Sequence, residues 1–332
     1  MERVLSGERF INIAMALKIL DLRDDRMKKS DLSGWKYVIV GFLGLGFVLL
    51  LLLLVVFTQL SGKGIFGKCV GVVNIDSDIT VEGEEAGILS LGKPGSEEIA
   101  QTIKKLNKRD DVGAVVIVVN SPGGSVVGAR EIYSAVKGLE KPKVAYLREV
   151  AASGGYYVAS GADYIISDPN TITGSIGAIA TVADFSELFD MLGINFTHIK
   201  SGEYKDIGSI GRQMSEEERE ILQSIINETF EEFKGVVVEN RAEKLDKERM
   251  DEIFDGRVMS GRQAYSYGLV DELGSKEDAL KKAAEMGGIE YEGEVPVCEI
   301  SFPSKYGGGL FGESFLNGIN EIANKKIVVE FK

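Results

Sequence analysis

One histidine, two cysteines, one tryptophan and six prolines are spread over 332 residues, and each scarcity closes a route. Two cysteines, Cys69 and Cys298, are too few for a disulfide framework or a zinc cluster, so no metal or cofactor is expected. Acid exceeds base, 51 Asp and Glu against 38 Lys and Arg. No positive field is left to displace phosphate counterions, and nucleic acid is not an expected partner. The single histidine, His198, restricts any imidazole catalysis to one position. What the chain has in quantity is glycine, forty residues of it, which points to many tight strand-to-helix turns. A 44% hydrophobic and 27% charged composition fits a folded protein.

Charge is absent altogether from Tyr37 to Leu60, and Val48–Phe57 is almost pure Leu and Val. At ~1.5 Å per residue the run is long enough to cross a bilayer. It is too long for the apolar region of a cleaved leader and is preceded by too many residues. Trp35 and Tyr37 mark one interface. Arg23, Arg26, Lys28, Lys29 and Lys36 precede the run, whereas only Lys63 and Lys68 follow it closely. This asymmetry places the N-terminus in the cytoplasm and the rest outside the cell membrane. The expected organisation is a cytoplasmic segment (1–36), a transmembrane helix (37–60), a main domain (61–284) and a glycine-rich extension or tail (285–332). Phe10–Leu17 reads as a helix on the membrane or a partner, and Cys69 as a juxtamembrane thiol.

Beyond the apolar run, strand-length hydrophobic stretches alternate with helical ones. Val70–Ile75, Val112–Asn120, Pro142–Leu147, Ala162–Ser167 and Gly177–Ala180 read as strands. Ser96–Lys108, Ser125–Leu139 and Ser215–Arg241 read as helices, the last opened by a Ser215–Glu218 capping box. The alternation predicts an α/β domain with a mainly parallel sheet. Along the long helix Ile221, Leu222, Ile225, Ile226, Phe230 and Phe233 form one apolar stripe, core or interface.

Two turns carry candidate chemistry. Ala151-Ala152-Ser153-Gly154-Gly155 joins a buried strand to a helix, a geometry that lifts a hydroxyl off a sheet and aligns the following N–H groups. Ser121-Pro122-Gly123-Gly124 does the same one strand earlier and can bring backbone donors up to a carbonyl. Each alone is also readable as a plain tight turn. Together they offer a nucleophile, Ser153, and an oxyanion hole, the N–H groups of Gly124 and Gly154. The base is harder to find. His198 lies in an alternating, strand-like stretch and reads as structural. A neutral lysine is the other base enzymes pair with serine. To fall from ~10.4 to ~7.4 its pKa must shift by about three units, or about 4 kcal/mol, which requires burial away from carboxylates. Lys205, in Ser201-Gly202-Glu203-Tyr204-Lys205-Asp206, is the candidate, although its acidic neighbours read as a solvated surface.

Taken in order, Gly124, Ser153, Thr173-Gly174-Ser175-Ile176-Gly177, the Lys205 segment, Gly256–Ala264 and Gly268–Gly274 resemble signal peptide peptidase A. The resemblance runs from about Val70 to Ala284. It implies a Clp protease/crotonase-like fold and a Ser-Lys dyad, with Ser153 as nucleophile, Lys205 as general base, Ser175 bonded to the lysine amine, and Gly124 and Gly154 as oxyanion hole. It implies peptide substrates, remnants of cleaved signal peptides among them, for an enzyme in contact with membrane lipid. Long members of the family have two tandem domains with lysine and serine on different ones. In this single-domain chain the resemblance therefore implies a homo-oligomer in which Lys205 reaches Ser153 of a neighbour.

Competing readings are weaker. Histidine-dependent Clp proteases share both glycine turns, but Ala178 stands where their histidine would fall. A crotonase-type acyl-CoA enzyme would need neither the serine nor an anchor. Two Ser-x-x-Lys boxes, Ser33–Lys36 and Ser134–Lys137, lack the partner motifs of penicillin-binding enzymes. An inactive membrane-tethered scaffold is the non-enzymatic alternative.

Overall fold

The structure, a computed structural model, describes residues 42–52, 67–84 and 92–302. The chain divides into two units, Met1–Phe66 and Gly67–Lys332. In the first, residues 42–52 are helical and exposed. Among the described residues no helix is long and apolar enough to cross a membrane. The remainder of the 37–60 run, the 1–36 segment with Phe10–Leu17, and residues 303–332 lie outside the described residues.

The second unit is built on one sheet. Its strands are β1 (Cys69–Asp76), β2 (Val112–Ser121), β3 (Lys143–Ala152), β4 (Tyr164–Ser167), β5 (Ile172–Gly174), β6 (Val258–Ser260), β7 (Glu272–Leu273) and β8 (Val297–Glu299). They run in the order β6-β5-β3-β2-β1-β8, with β4 pairing β3 and β7 pairing β4. Only the β5–β6 pair is antiparallel. Eight helices connect or cover the strands: α1 (Ser96–Lys105), α2 (Val126–Lys137), α3 (Gly154–Ala159), α4 (Ser186–Met191), α5 (Glu216–Arg241), α6 (Met250–Ile253), α7 (Gly261–Ser266) and α8 (Lys276–Met286).

The period-2 pattern of the strands divides the core between two faces. Val115, Ile117 and Val119 of β2 point with Val73 and Ile75 toward α1, α2 and α3, where Ile103, Ile132 and Val136 meet them. Ala114, Val116 and Val118 point the other way with Val70 and Val72, onto the alanine face of α8 (Ala279, Ala283, Ala284). With both faces covered, the strand reads as an unbroken apolar run, as buried parallel strands do.

β3 changes partner along its length, from β4 at 144–147 to β5 at 150–152. Thr171 secures the branch: its hydroxyl donates to the carbonyls of Leu147 (2.9 Å) and Arg148 (2.5 Å). Thr173 repeats the device on Ala151 at 2.6 Å. Farther out, buried Asp271 accepts from Arg241 of α5 at 2.8 and 3.0 Å and from the Ile165 N–H at 2.8 Å, tying the long helix to β4.

Several expectations are corrected. Residues 177–180 form no strand; the strand beside β3 is Ile172–Gly174, held by threonine hydroxyls rather than an apolar run. Residues 194–199 alternate without pairing to any strand, and Phe196 instead packs on Phe189 with ring centroids 4.8 Å apart. The stripe on α5 divides: Phe233 is buried, while Ile221 and Ile225 are exposed. Helix α8 runs to Met286, and β8 adds a strand parallel to β1. Cys69 is no free thiol either, for it is bonded to Cys298 across 229 residues. The two cysteines are distant in sequence and adjacent only because β1 and β8 pair, so counting them could not reveal the bridge.

Closing so long a loop removes much of the freedom of the unfolded chain. Replacing Cys298 by serine should lower stability by about 2–5 kcal/mol. Denaturant unfolding of the two proteins checks this; coincident midpoints, with and without reductant, would contradict it.

Candidate active site

Four of the five predicted site residues gather at the C-terminal end of the parallel strands. Ala152, the last residue of β3, pairs with Gly174 of β5, and the next N–H, that of Ser153, donates to the Gly174 carbonyl at 2.9 Å. Ser153 itself has φ +52° and ψ −123°, a region that L-residues seldom occupy. Such strain persists only where the surroundings over-determine it. Here α3 begins at the very next residue and is rooted by its tyrosines. Buried Tyr156 donates its hydroxyl to the Leu269 carbonyl at 2.7 Å. Tyr157 packs edge-on between Tyr133 and Phe233 and donates to Glu232 at 3.2 Å. The result is a half-buried serine on a sharp turn, its side chain clear of any cap to its own helix.

The Ser121–Gly124 loop lies directly against that turn. Gly123 and Gly124 have φ of +104° and +144°. A Cβ on Gly123 would stand 2.7 Å from the Gly154 nitrogen, and one on Gly124 would stand 2.3 Å from the Ile79 carbonyl oxygen. Glycine is therefore required by conformation and by space. Ile79 pins the loop from the other side, donating to the Gly123 carbonyl and accepting from the Ser125 N–H, both at 2.8 Å. Among the described residues neither the Gly124 nor the Gly154 N–H has an acceptor. Two unused backbone donors beside a strained serine make an arrangement able to stabilise an oxyanion.

Ser175 follows Gly174 as Ser153 follows Ala152, which puts the two serines on adjacent strand ends. It too has positive φ, +49°, and its N–H donates to the Arg257 carbonyl at 2.8 Å. Residues 256–262, part of the motif series, thus act as a clamp: β6 pairs with β5, and Arg257 fixes Ser175.

Lys205 is not part of this cluster. It lies exposed in a turn, and no hydrogen bond or ion pair of its amine is found among the described residues. Its acidic neighbour is otherwise engaged. Asp206 accepts from Arg212 at 2.9 Å on each oxygen and from Lys200 at 2.6 Å, which holds its carboxyl well below the usual range. Arg212 also reaches Glu218 at 2.8 Å; that bond, with the Ser215 N–H, pulls the Glu218 carboxyl down to about 2. The capping box flagged Glu218 in the sequence, but nothing there flagged Arg212.

His198 is exposed, stacked near Phe196 and 3.2 Å from the Ser209 hydroxyl, and makes no contact with Ser153. Ser134 donates to its own helix at the Arg130 carbonyl, 2.7 Å away, so it does not pair with Lys137. Ser33 and Lys36 lie outside the described residues. A cavity of about 430 Å³ opens between residues 180–184, 208–214 and the first turns of α5, but its walls include none of the five predicted residues.

Comparison with known proteins places this geometry. Residues 135–290 match Peptidase family S49, and residues 78–172 match the Clp protease family. A Methanocaldococcus jannaschii protein named as a protease is 35% identical over 289 residues, 82% of this chain and 91% of its own. The chain belongs to peptidase family S49. An Enterococcus faecium S49 relative, named as signal peptide peptidase SppA, is 30% identical over 81% of this chain and 78% of its own. Protease 4 of Haemophilus influenzae is 32% identical over 65% of this chain but only 34% of its own longer one. The two glycine turns fall within the Clp protease match, and Lys205 within the S49 match alone.

Two consequences are measurable. Gly124→Ala should cut peptide hydrolysis by about 100-fold or more while leaving the circular dichroism spectrum unchanged, because it displaces one backbone donor; undiminished turnover would show that the loop is not used. Because the Glu218 carboxyl is depressed, the stability it contributes is complete above its unfolded value, 4.5, and is lost as pH falls toward 2. The protection factors of residues 206–218, each corrected for the intrinsic exchange rate at its pH, should therefore fall between pH 4.5 and 2, and equal protection across that interval would contradict the assignment.

Proposed function

We propose that this S49 peptidase is a membrane-anchored serine endopeptidase in which Ser153 of one copy is served by Lys205 of another. The observation that supports a shared site is the surface on which Lys205 sits. Between residues 179 and 204 the chain exposes Ile179 (87%), Met191 (78%), Leu192 (63%) and Ile199 (100%), along with Phe185, Ile194 and Phe196. So many large apolar side chains exposed on one segment are unusual in a monomer, and a second copy of the chain is the occupant that would also bury the lysine. Burial is what the chemistry demands: a base working near neutral pH must be an uncharged amine, and water around a lone chain does not supply that environment.

In the proposed reaction the Ser153 Oγ attacks the scissile carbonyl carbon while its proton passes to the lysine Nζ. The carbonyl oxygen becomes an oxyanion between the N–H groups of Gly124 and Gly154. Collapse breaks the C–N bond, and the leaving amine takes the proton from Nζ. Water, deprotonated by the same amine, then attacks the acyl-enzyme, and Ser153 regains its proton as the acid product leaves. Ser175, beside Ser153, serves to orient the lysine amine.

The substrate reading, cleaved signal peptides and other hydrophobic peptides, rests on the name of the Enterococcus relative and on the uncharged 37–60 run. Such an anchor, with its basic flank in the cytoplasm, would hold the catalytic domain outside the cell membrane, next to peptides that remain in the bilayer.

Mixing tests the shared site. Ser153→Ala and Lys205→Ala chains should each be inactive, and co-assembled they should regain peptidase activity. Failure of rescue in mixed oligomers would defeat sharing. Reaction of a fluorophosphonate with the wild type but not with Ser153→Ala separates an enzyme from a scaffold.

A further inference from the structure

The feature that the proposed chemistry leaves unexplained is the ionic cluster immediately after Lys205. All three guanidinium nitrogens of Arg212 are engaged. Its Nε and Nη2 each donate to an Asp206 carboxylate oxygen at 2.9 Å, Nη2 also donates to the Asp206 carbonyl at 3.3 Å, and Nη1 donates to Glu218 at 2.8 Å and to the Gln213 carbonyl at 3.1 Å. The two carboxylates are nearly inaccessible, with side chains 10% and 4% exposed. Lys200 closes the cluster, donating to Asp206 at 2.6 Å and to the Glu203 carbonyl at 2.7 Å. With the Arg212 and Lys200 side chains 31% and 33% exposed, water screens these ion pairs, and they are a poor way to gain stability alone. Their placement suggests another use. Asp206 is the residue bonded to Lys205, and a free carboxylate there would favour the ammonium form, in which the lysine is no base.

We propose that Arg212 is a positioning residue for Lys205: by holding Asp206 and Glu218 it keeps the adjacent carboxylate from the lysine amine and fixes the turn that presents it. The inference rests on Lys205 being the general base. The charged and titratable groups around the turn and Arg212 include His198, Lys200, Glu203, Tyr204 and Asp206 on the segment itself, Glu218 and Arg219 from α5, and Asp184, which lines the same cavity as Arg212. Of the acidic ones, Asp206 and Glu218 are bound by Arg212, while Glu203 and Asp184 are exposed. Removing the guanidinium charge leaves the surroundings of the amine more negative. Lys205 then holds its proton to higher pH, and activity, which needs the neutral amine, begins at higher pH.

The test is the pH dependence of kcat/KM in the full chain. Arg212→Gln should move the acid limb upward by about half a unit to one unit, the effect of one uncompensated nearby charge screened by water. On that limb activity falls about 3- to 10-fold. Adding Asp206→Asn should return the limb toward its original position. Arg212→Lys, which keeps the charge but not the fork, should leave the limb in place and lower kcat. A merely structural arginine would reduce kcat without moving the limb. An unmoved limb in a folded Arg212→Gln protein overturns the proposal. Should that variant not fold, Asp206→Asn alone decides: a limb shifted to lower pH supports the proposal, and one that stays or rises overturns it. Lys205→Met keeps the two readings apart. If it remains active, the lysine is not the base; if it is inactive while the limb of Arg212→Gln stays put, only the role of Arg212 fails.

Discussion

The approach of two backbone turns to within van der Waals contact is the constraint on which this site depends. The Gly123–Gly124 loop and the Ser153–Gly154 turn meet so closely that a single methyl group on Gly123 would strike the Gly154 nitrogen. The approach needs a sheet whose neighbouring strands end side by side, which the register of β2, β3 and β5 supplies. It also needs a strained serine, and the buried tyrosines of α3 hold that strain in place. Two N–H groups are thereby left without an acceptor among the described residues. Donors of this kind are already oriented when charge develops, so little reorganisation is needed at that moment.

Polar groups are spent differently in the two parts of the domain. Around Ser153 the serines, glycines and threonines are held by hydrogen bonds to backbone groups. Around Lys205 fixation is ionic, through Arg212, Asp206 and Glu218, on a segment whose apolar side chains face outward. A sheet end can be shaped by hydrogen bonds because its strands are regular. The projecting segment between β5 and α5 has only the short α4, and ion pairs shape it instead.

This contrast also governs what the sequence reveals. The central strands were legible because Val112–Asn120 and Val70–Ile75 are too apolar for anything but burial, and the two glycine turns because backbone chemistry leaves a compositional trace. The capping box of α5 was legible for the same local reason. What escaped was whatever depends on a distant partner. Strands β5 to β8 have two or three residues each and exist through pairing, not pattern. The 194–199 stretch has a strand's alternation but no neighbour to pair with. Lys205 was reachable only through motif order, since its local sequence describes a solvated lysine and its own chain leaves it in water.

The bridge between Cys69 and Cys298 has a mechanical side. Among the described residues it joins the first and last strands where they lie parallel and adjacent, so the two ends of this sheet-forming stretch are covalently one point. Tension applied at residue 67 against residue 302 is carried by that bond and does not peel β8 from β1. A nick anywhere between the two cysteines would likewise leave the pieces joined.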